Sequence, residues 1–220
     1  MIDFNNLHVG LTNRCRLSCP ECARTIPGGR YVQKMFDLDV EYFKKFLLDC
    51  HPRLILFCGN WGDPIYSKDF IGLVDAIKKS NPDCCLLIHT NGSGKSTEWW
   101  TKLTETLHDN DMLVFSIDGT PENYTKYRIN SEWADVENAI KTVIATKKRL
   151  NKKTSIQWKH LVFSYNENTI MDSYKISVEM GFDKFFLQHG LVYAEPWLAT
   201  SKPFREIENN FYEQKNKSLL

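Results

Sequence analysis

Three thiols within eight residues form the densest concentration of chemistry in the chain. Cys15, Cys19 and Cys22 lie in the run Leu11-Thr12-Asn13-Arg14-Cys15-Arg16-Leu17-Ser18-Cys19-Pro20-Glu21-Cys22, spaced CxxxCxxC. Three thiolates on one short loop can hold three corners of a cubic iron–sulfur cluster and leave the fourth iron open. Four protein thiolates suit electron transfer; an open iron can also bind a ligand and act on it. A structural zinc site is the competing use, but it takes four protein ligands, usually as two CxxC-type pairs. The other cysteines, Cys50, Cys58, Cys84 and Cys85, supply no second pair. A disulfide framework fits poorly. Seven cysteines is an odd number, 220 residues need no staples, and the start Met1-Ile2-Asp3-Phe4-Asn5 carries no secretory pattern.

Other unusual residues follow short apolar runs. Residues 7–11 read as a strand that feeds the cysteine loop. Asp37 or Asp39 can cap a helix with Val40, Phe43, Leu47 and Cys50 at helical spacing. Residues 53–58 read as a strand covered on both faces. Ser67 or Lys68 opens a helix that Asn81-Pro82 stops. Residues 84–89 form a strand, followed by a helix from near Ser96. Residues 112–117 form the fourth strand. A short helical turn at 121–124 precedes a helix that Ser131 can cap. Residues 155–163 form a strand, 166–180 a helix closed by Gly181, and 184–188 the sixth strand. Residues 204–214 can form a terminal helix.

Six βα-type units predict an α/β fold with a parallel sheet. Right-handed crossovers would curl it into a partial (β/α)6 barrel, an incomplete TIM-like barrel. Residues 1–192 are expected to form this core, and 193–220 a C-terminal extension with a helix packed on it. Barrels of this kind gather their active sites at the carboxyl ends of the strands. The odd motifs all fall there: the cysteine loop, Gly59-Asn60-Trp61-Gly62-Asp63-Pro64, Thr90-Asn91-Gly92-Ser93, Ser116-Ile117-Asp118-Gly119 and Gln188-His189-Gly190.

Bulk properties exclude some classes of function. A net charge of +1 gives no general case for nucleic acid or an anionic membrane surface, and no apolar run is long enough to span a bilayer. The basic run Lys147-Lys148-Arg149, with Lys152 and Lys153, falls where a helix should end and complements its dipole. Free cysteines point to a reducing, cytoplasmic setting.

With these motifs the chain resembles the radical S-adenosylmethionine (radical SAM) superfamily over roughly residues 5–190. CxxxCxxC after the first strand is that superfamily's signature. The resemblance implies one oxygen-sensitive [4Fe-4S] cluster on Cys15, Cys19 and Cys22, with SAM chelating the open iron. Reductive cleavage of SAM would then give a 5'-deoxyadenosyl radical that abstracts hydrogen from an organic substrate. Trp61-Gly62-Asp63-Pro64 looks like a variant of the family's Gly-Gly-Glu-Pro loop, which receives the SAM amino group. Ser116-x-Asp118-Gly119 and Tyr127-Arg128 resemble elements that hold SAM in peptide-modifying members. The SAM contacts so implied are Asn60, Gly62, Asp63, Asn91, Ser116, Asp118, Arg128 and Gln188. Two features depart from the family pattern. Glu21 stands where an aromatic commonly precedes the third cysteine, and no cysteine follows Cys85, so a single cluster is expected.

Substrate-facing candidates are His89, and Lys159 or His160 on the fifth strand. Gln188 and His189 end the sixth strand with similar standing. Arg24, Arg30 and Tyr31 lie on a loop with Pro27-Gly28-Gly29 as a hinge. The expected substrate is a peptide or protein side chain, with a nucleoside or small metabolite as the alternative. A one-cluster carrier or sensor is the reading from another class. A flavodoxin or ferredoxin reductant is implied by the resemblance.

Overall fold

Short apolar runs alternating with amphipathic stretches build one curved sheet with a helical coat. The computed structural model describes residues 5–26, 35–59 and 61–218. In chain order the elements are β1 (Asn6–His8), α1 (Val40–Asp49), β2 (Leu54–Phe57), α2 (Phe70–Ser80), β3 (Cys85–Thr90), α3 (Thr97–Thr106), β4 (Met112–Ser116), α4 (Trp133–Arg149), β5 (Ser155–Val162), α5 (Ile170–Met180), β6 (Lys184–His189) and α6 (Phe204–Ser218). The strands pair in the order β1-β2-β3-β4-β5-β6, all parallel, and the sheet stays open between β1 and β6. This is the expected partial barrel.

Alternation along each strand sorts side chains between two faces. Leu86 and Ile88 on β3, Leu113 and Phe115 on β4, Ile156 and Trp158 on β5, and Phe185 and Leu187 on β6 are buried in the main apolar core. There Trp100 of α3 meets Phe115 with ring centroids 5.6 Å apart, and Trp133 of α4 meets Trp158 at 6.2 Å. Burying each such side chain stabilises by about 1.5–3 kcal/mol. The opposite parity, including Ser116, Lys159 and Gln188, faces a cavity at the carboxyl ends. Ser116 and Lys159 are register partners on adjacent strands.

Local chemistry sets the element ends, and several differ from expectation. Strand β1 is shorter than residues 7–11. The chain leaves the parallel sheet after Val9 donates to the Leu56 carbonyl, and residues 11–13 pair instead with 36–38 of the returning loop. Asp39 caps α1, accepting from the Glu41 and Tyr42 N–H groups, whereas Asp37 pairs with Arg14 at 2.7 Å. Asp69, not Ser67 or Lys68, caps α2 through the Gly72 N–H. Ser131 does not cap α4; its hydroxyl lies 3.0 Å from the buried Tyr124 hydroxyl. Helix α5 starts at Ile170, because the Asn166 side chain ties down the preceding turn through the Phe163 N–H and the Asp118 and Leu161 carbonyls. It ends, as expected, at Gly181 with φ +89°, a conformation glycine adopts without strain.

The basic end of α4 is a helix-end ion-pair cluster: Lys147 pairs with Asp183 and Arg149 with Glu105. Helix α6 packs on the barrel through Phe211, whose ring lies 5.5 Å from Phe185 and 5.8 Å from Tyr174. At the amino-terminal end of the strands, Lys78 is buried against Asp111 at 2.5 Å, and Asp111 also accepts from the Leu86 and His108 N–H groups. No helix among the described residues is long and apolar enough to cross a membrane.

Candidate active site

The strand ends surround a cavity of about 370 Å³, within the range of small-molecule sites. Its wall includes all three motif thiols, Cys15, Cys19 and Cys22. None of the seven cysteines forms a disulfide. Burial, reinforced by the charge of Asp63, pushes the Cys15 thiol up to about 12, and burial also raises that of Cys19. Such desolvated sulfurs become thiolates when a metal takes the place of their protons.

Donors are already aimed at the sulfurs. The Leu17 N–H and the Asn91 Nδ2 each lie 3.4 Å from Cys15 Sγ, and Arg128 Nη1 lies 3.7 Å from Cys19 Sγ. Hydrogen bonds of this kind tune the potential of an iron–sulfur cluster. Among the described residues no three His, Cys, Asp or Glu side chains close on one point as ligands of a single ion. Three thiols on one cavity wall, with Cys15 and Cys19 desolvated and donors aimed at both, fit a cluster with three protein corners.

The second motif is held against the first. A Cβ at Gly62 would come within 2.3 Å of the Thr12 carbonyl oxygen and 2.8 Å of that of Arg14. Only glycine permits this approach. The Asp63 N–H then donates to the Arg14 carbonyl at 2.9 Å. The Asp63 carboxylate faces inward and is heavily used: Oδ2 accepts from the Asn91 N–H at 2.7 Å, Asn91 Nδ2 at 2.6 Å and the Thr90 hydroxyl at 3.1 Å, and Oδ1 accepts from the Ile65 N–H. Burial nevertheless raises its pKa to about 6. One carboxylate thereby fixes the loop after β2 to the turn after β3.

Arg128 lines the same cavity, and Asp118 sets its position. Asp118 Oδ2 lies 2.5 Å from Arg128 Nη2, while Oδ1 accepts from the Leu161 N–H at 2.8 Å. Burial opposes the guanidinium charge, but Asp118 and Cys19 outweigh it and hold Arg128 charged. Asp118 itself is fully buried and lies behind the cavity wall, not in it.

The remaining sequence-derived candidates divide. Gly62, Asp63, Asn91, Ser116, Arg128 and Gln188 line the cavity, as do His89, Lys159, His189 and Arg24. His160 does not. It is fully buried on the opposite face of β5 with its ring 5.7 Å from Phe185, and burial lowers its pKa to about 4. Adjacent strand residues point apart, so only Lys159 of that pair faces the cavity. Asn60, Arg30, Tyr31 and the Pro27-Gly28-Gly29 hinge lie outside the described residues.

Three features of the site were not anticipated. Cys58, at the end of β2, lines the cavity with the motif thiols. Tyr127 packs on Phe163 at a centroid distance of 4.5 Å, forming with Leu17 and Leu198 a small apolar wall beside Cys19. Glu21 accepts hydrogen bonds from three successive backbone N–H groups, those of Tyr193, Ala194 and Glu195, at 2.6–3.2 Å. It thereby straps the segment after β6 to the cysteine loop and brings Leu191 and Tyr193 to the cavity mouth.

The chain matches no protein-family model and no curated protein sequence. Solved structures do share its fold. Streptococcus suis SuiB bound to S-adenosylmethionine aligns over 98% of this chain with a TM-score of 0.73 and 11% identity. anSMEcpe with bound AdoMet aligns over 97% with a TM-score of 0.69 and 19% identity. Both are radical SAM enzymes. The chain spans 48% of the SuiB chain and 61% of the anSMEcpe chain. Its fold is the partial barrel of these enzymes.

Proposed function

We propose that this chain is a radical SAM enzyme with one [4Fe-4S] cluster on Cys15, Cys19 and Cys22. The observation that carries this reading is convergence. The three thiols, Asp63 and Asn91, and Ser116 with Arg128 come from four separate strand ends and line one cavity. When bound, the cluster and SAM would supply reductive carbon–sulfur cleavage, yielding methionine and a 5'-deoxyadenosyl radical that takes hydrogen from substrate. An electron carrier has no use for the polar strand-end groups.

The chain's own residues then have defined tasks. Asn91 and Arg128 donate toward the cysteine sulfurs and offset their negative charge. Gly62 and Asp63 offer backbone carbonyl and carboxylate oxygens to the SAM ammonium. Arg128, fixed by Asp118, and Ser116 receive its carboxylate and ribose. Gln188 and Gly59 complete the cofactor wall. Leu17, Tyr127 and Phe163 keep water from the reacting centre. Residues 1–192 serve as the core, and 193–220 as an extension strapped to it by Glu21.

The substrate we propose is a peptide or protein side chain, modified in a reducing cytoplasm with electrons from a flavodoxin or ferredoxin. SuiB has been crystallised bound to the precursor peptide SuiA, and anSMEcpe with AdoMet and the Cp18Cys peptide; shared fold lends this class its support. The test is electron paramagnetic resonance of the anaerobically loaded, reduced protein. A signal of one [4Fe-4S]⁺ centre that changes on adding SAM, and that Cys19→Ala lacks, is expected. A zinc-only protein, or a cluster indifferent to SAM, contradicts the proposal.

A further inference from the structure

Most charged groups on the cavity wall already have partners within the protein. Asp63 takes four hydrogen bonds, Arg128 is paired with Asp118, Glu21 is capped by three N–H groups, and Arg24 donates to the Leu17 carbonyl. Lys159 is the exception. Its ammonium sits on β5, beside its register partner Ser116 on β4, and lines the cavity. Among the described residues it has no hydrogen-bond or ion-pair partner, only longer-range charge interactions.

A lysine so placed carries some cost, since a half-buried charge without a partner loses part of its hydration. Burial lowers its pKa accordingly. A mere packing role would be met by methionine at no such cost. Its surroundings are suited to a polar ligand. Beside it, His89 presents a ring whose Nδ1 is buried without a partner among the described residues. His89 is neutral, its pKa pushed down by burial to about 4. Among the described residues Lys159 is therefore the cation of this wall with neither a hydrogen-bond nor an ion-pair partner, and it stands beside a neutral imidazole.

One ammonium with neutral neighbours matches a monoanion of two oxygens. A phosphate dianion is better served by bidentate guanidinium groups, and Arg128, held by Asp118, is the group already assigned to the SAM carboxylate. We infer that Lys159 receives a carboxylate of the substrate, with His89 beside it, so that the side chain or group presented to this enzyme is acidic. This rests on the reading of the cavity as the substrate chamber of the proposed enzyme. SAM also carries a carboxylate, so the test must separate the two sources.

The probes are N-acetyl-glutamate methylamide and N-acetyl-aspartate methylamide, each against its glutamine or asparagine counterpart. Their binding to the cluster-loaded full chain is measured by saturation-transfer NMR, and SAM binding by equilibrium dialysis. At least one acid should bind the wild type ten or more times tighter than its amide. Lys159→Met should erase that preference, Lys159→Arg should keep part of it, and SAM affinity should stay within threefold in both. Thermal unfolding of the two variants monitors the fold, and Lys159→Arg, which keeps the charge, separates charge loss from damage. Equal or no binding of acids and amides by the wild type overturns the inference. So does a Lys159→Met loss of SAM affinity as large as its loss for the acid, which would assign the ammonium to the cofactor. An acid preference without any 5'-deoxyadenosine formation supports the carboxylate site while contradicting the proposed reaction.

Discussion

Asp118 and Arg128 form a buried pair at 2.5 Å, and the far side of the guanidinium reaches Cys19 Sγ at 3.7 Å. A carboxylate that never enters the cavity therefore determines where a positive charge stands beside the cysteine loop. Removing one member of a buried pair leaves the other uncompensated, at a cost of about 3–5 kcal/mol. Asp118→Ala is accordingly expected to lower stability by that order in chemical denaturation. It should also weaken SAM binding to the loaded protein, since Arg128 loses its anchor. Unchanged SAM affinity in a folded Asp118→Ala protein would separate Arg128 from the cofactor.

Lys78 and Asp111 provide the contrasting case. They are equally buried but lie at the opposite end of the strands. Lys78→Met should cost about 3–5 kcal/mol by the same logic, with SAM affinity unaltered. Denaturant midpoints and dialysis measured on the same preparations check both parts.

Glu21 should act on one local segment. A hydrogen bond to a charged group contributes about 1.5–3 kcal/mol. Glu21→Ala is expected to raise amide exchange at Tyr193, Ala194 and Glu195 by roughly tenfold or more, the factor that about 1.4 kcal/mol represents. The amides of β3 and β4 should be unaffected. Exchange unchanged at all three positions would refute the strap.

Asp63 carries a pH signature. Its folded pKa of about 6 exceeds the ordinary carboxylate value, so between these two values the folded chain binds more protons than the unfolded one. Its contribution to stability is then fully present at low pH and is lost as pH rises through about 6. A shift of this size is worth about 3 kcal/mol. Relative to Asp63→Asn, the unloaded wild type should lose stability on going from pH 4 to pH 7. A pH-independent difference between the two proteins contradicts the assignment.

Much of the architecture was legible because its determinants are local. The caps at Asp39 and Ser96, the left-handed stop at Gly181 and the strand-to-motif order all depend on residues within a few positions. What escaped depends on partners far along the chain. Glu21 meets residues 172–174 positions away, so the sequence alone offered only an odd acid before Cys22. Ser131 has the chemistry of a cap, yet Tyr124 claims its hydroxyl. The choice between Lys159 and His160 was not decidable from pattern. β5 is covered on both faces, and its flanking apolar residues occur in both parities. Cys58 lacks any spacing signal and joins the motif thiols only through the curl of the sheet.

On the proposed function, the three thiols and the strand-end groups bind and cleave SAM. The most direct measurement is 5'-deoxyadenosine formed by the anaerobically loaded protein with dithionite and SAM. Product is expected from the wild type and from Cys84→Ser, and none from Cys19→Ala. A fully loaded wild-type cluster that yields no 5'-deoxyadenosine would contradict it.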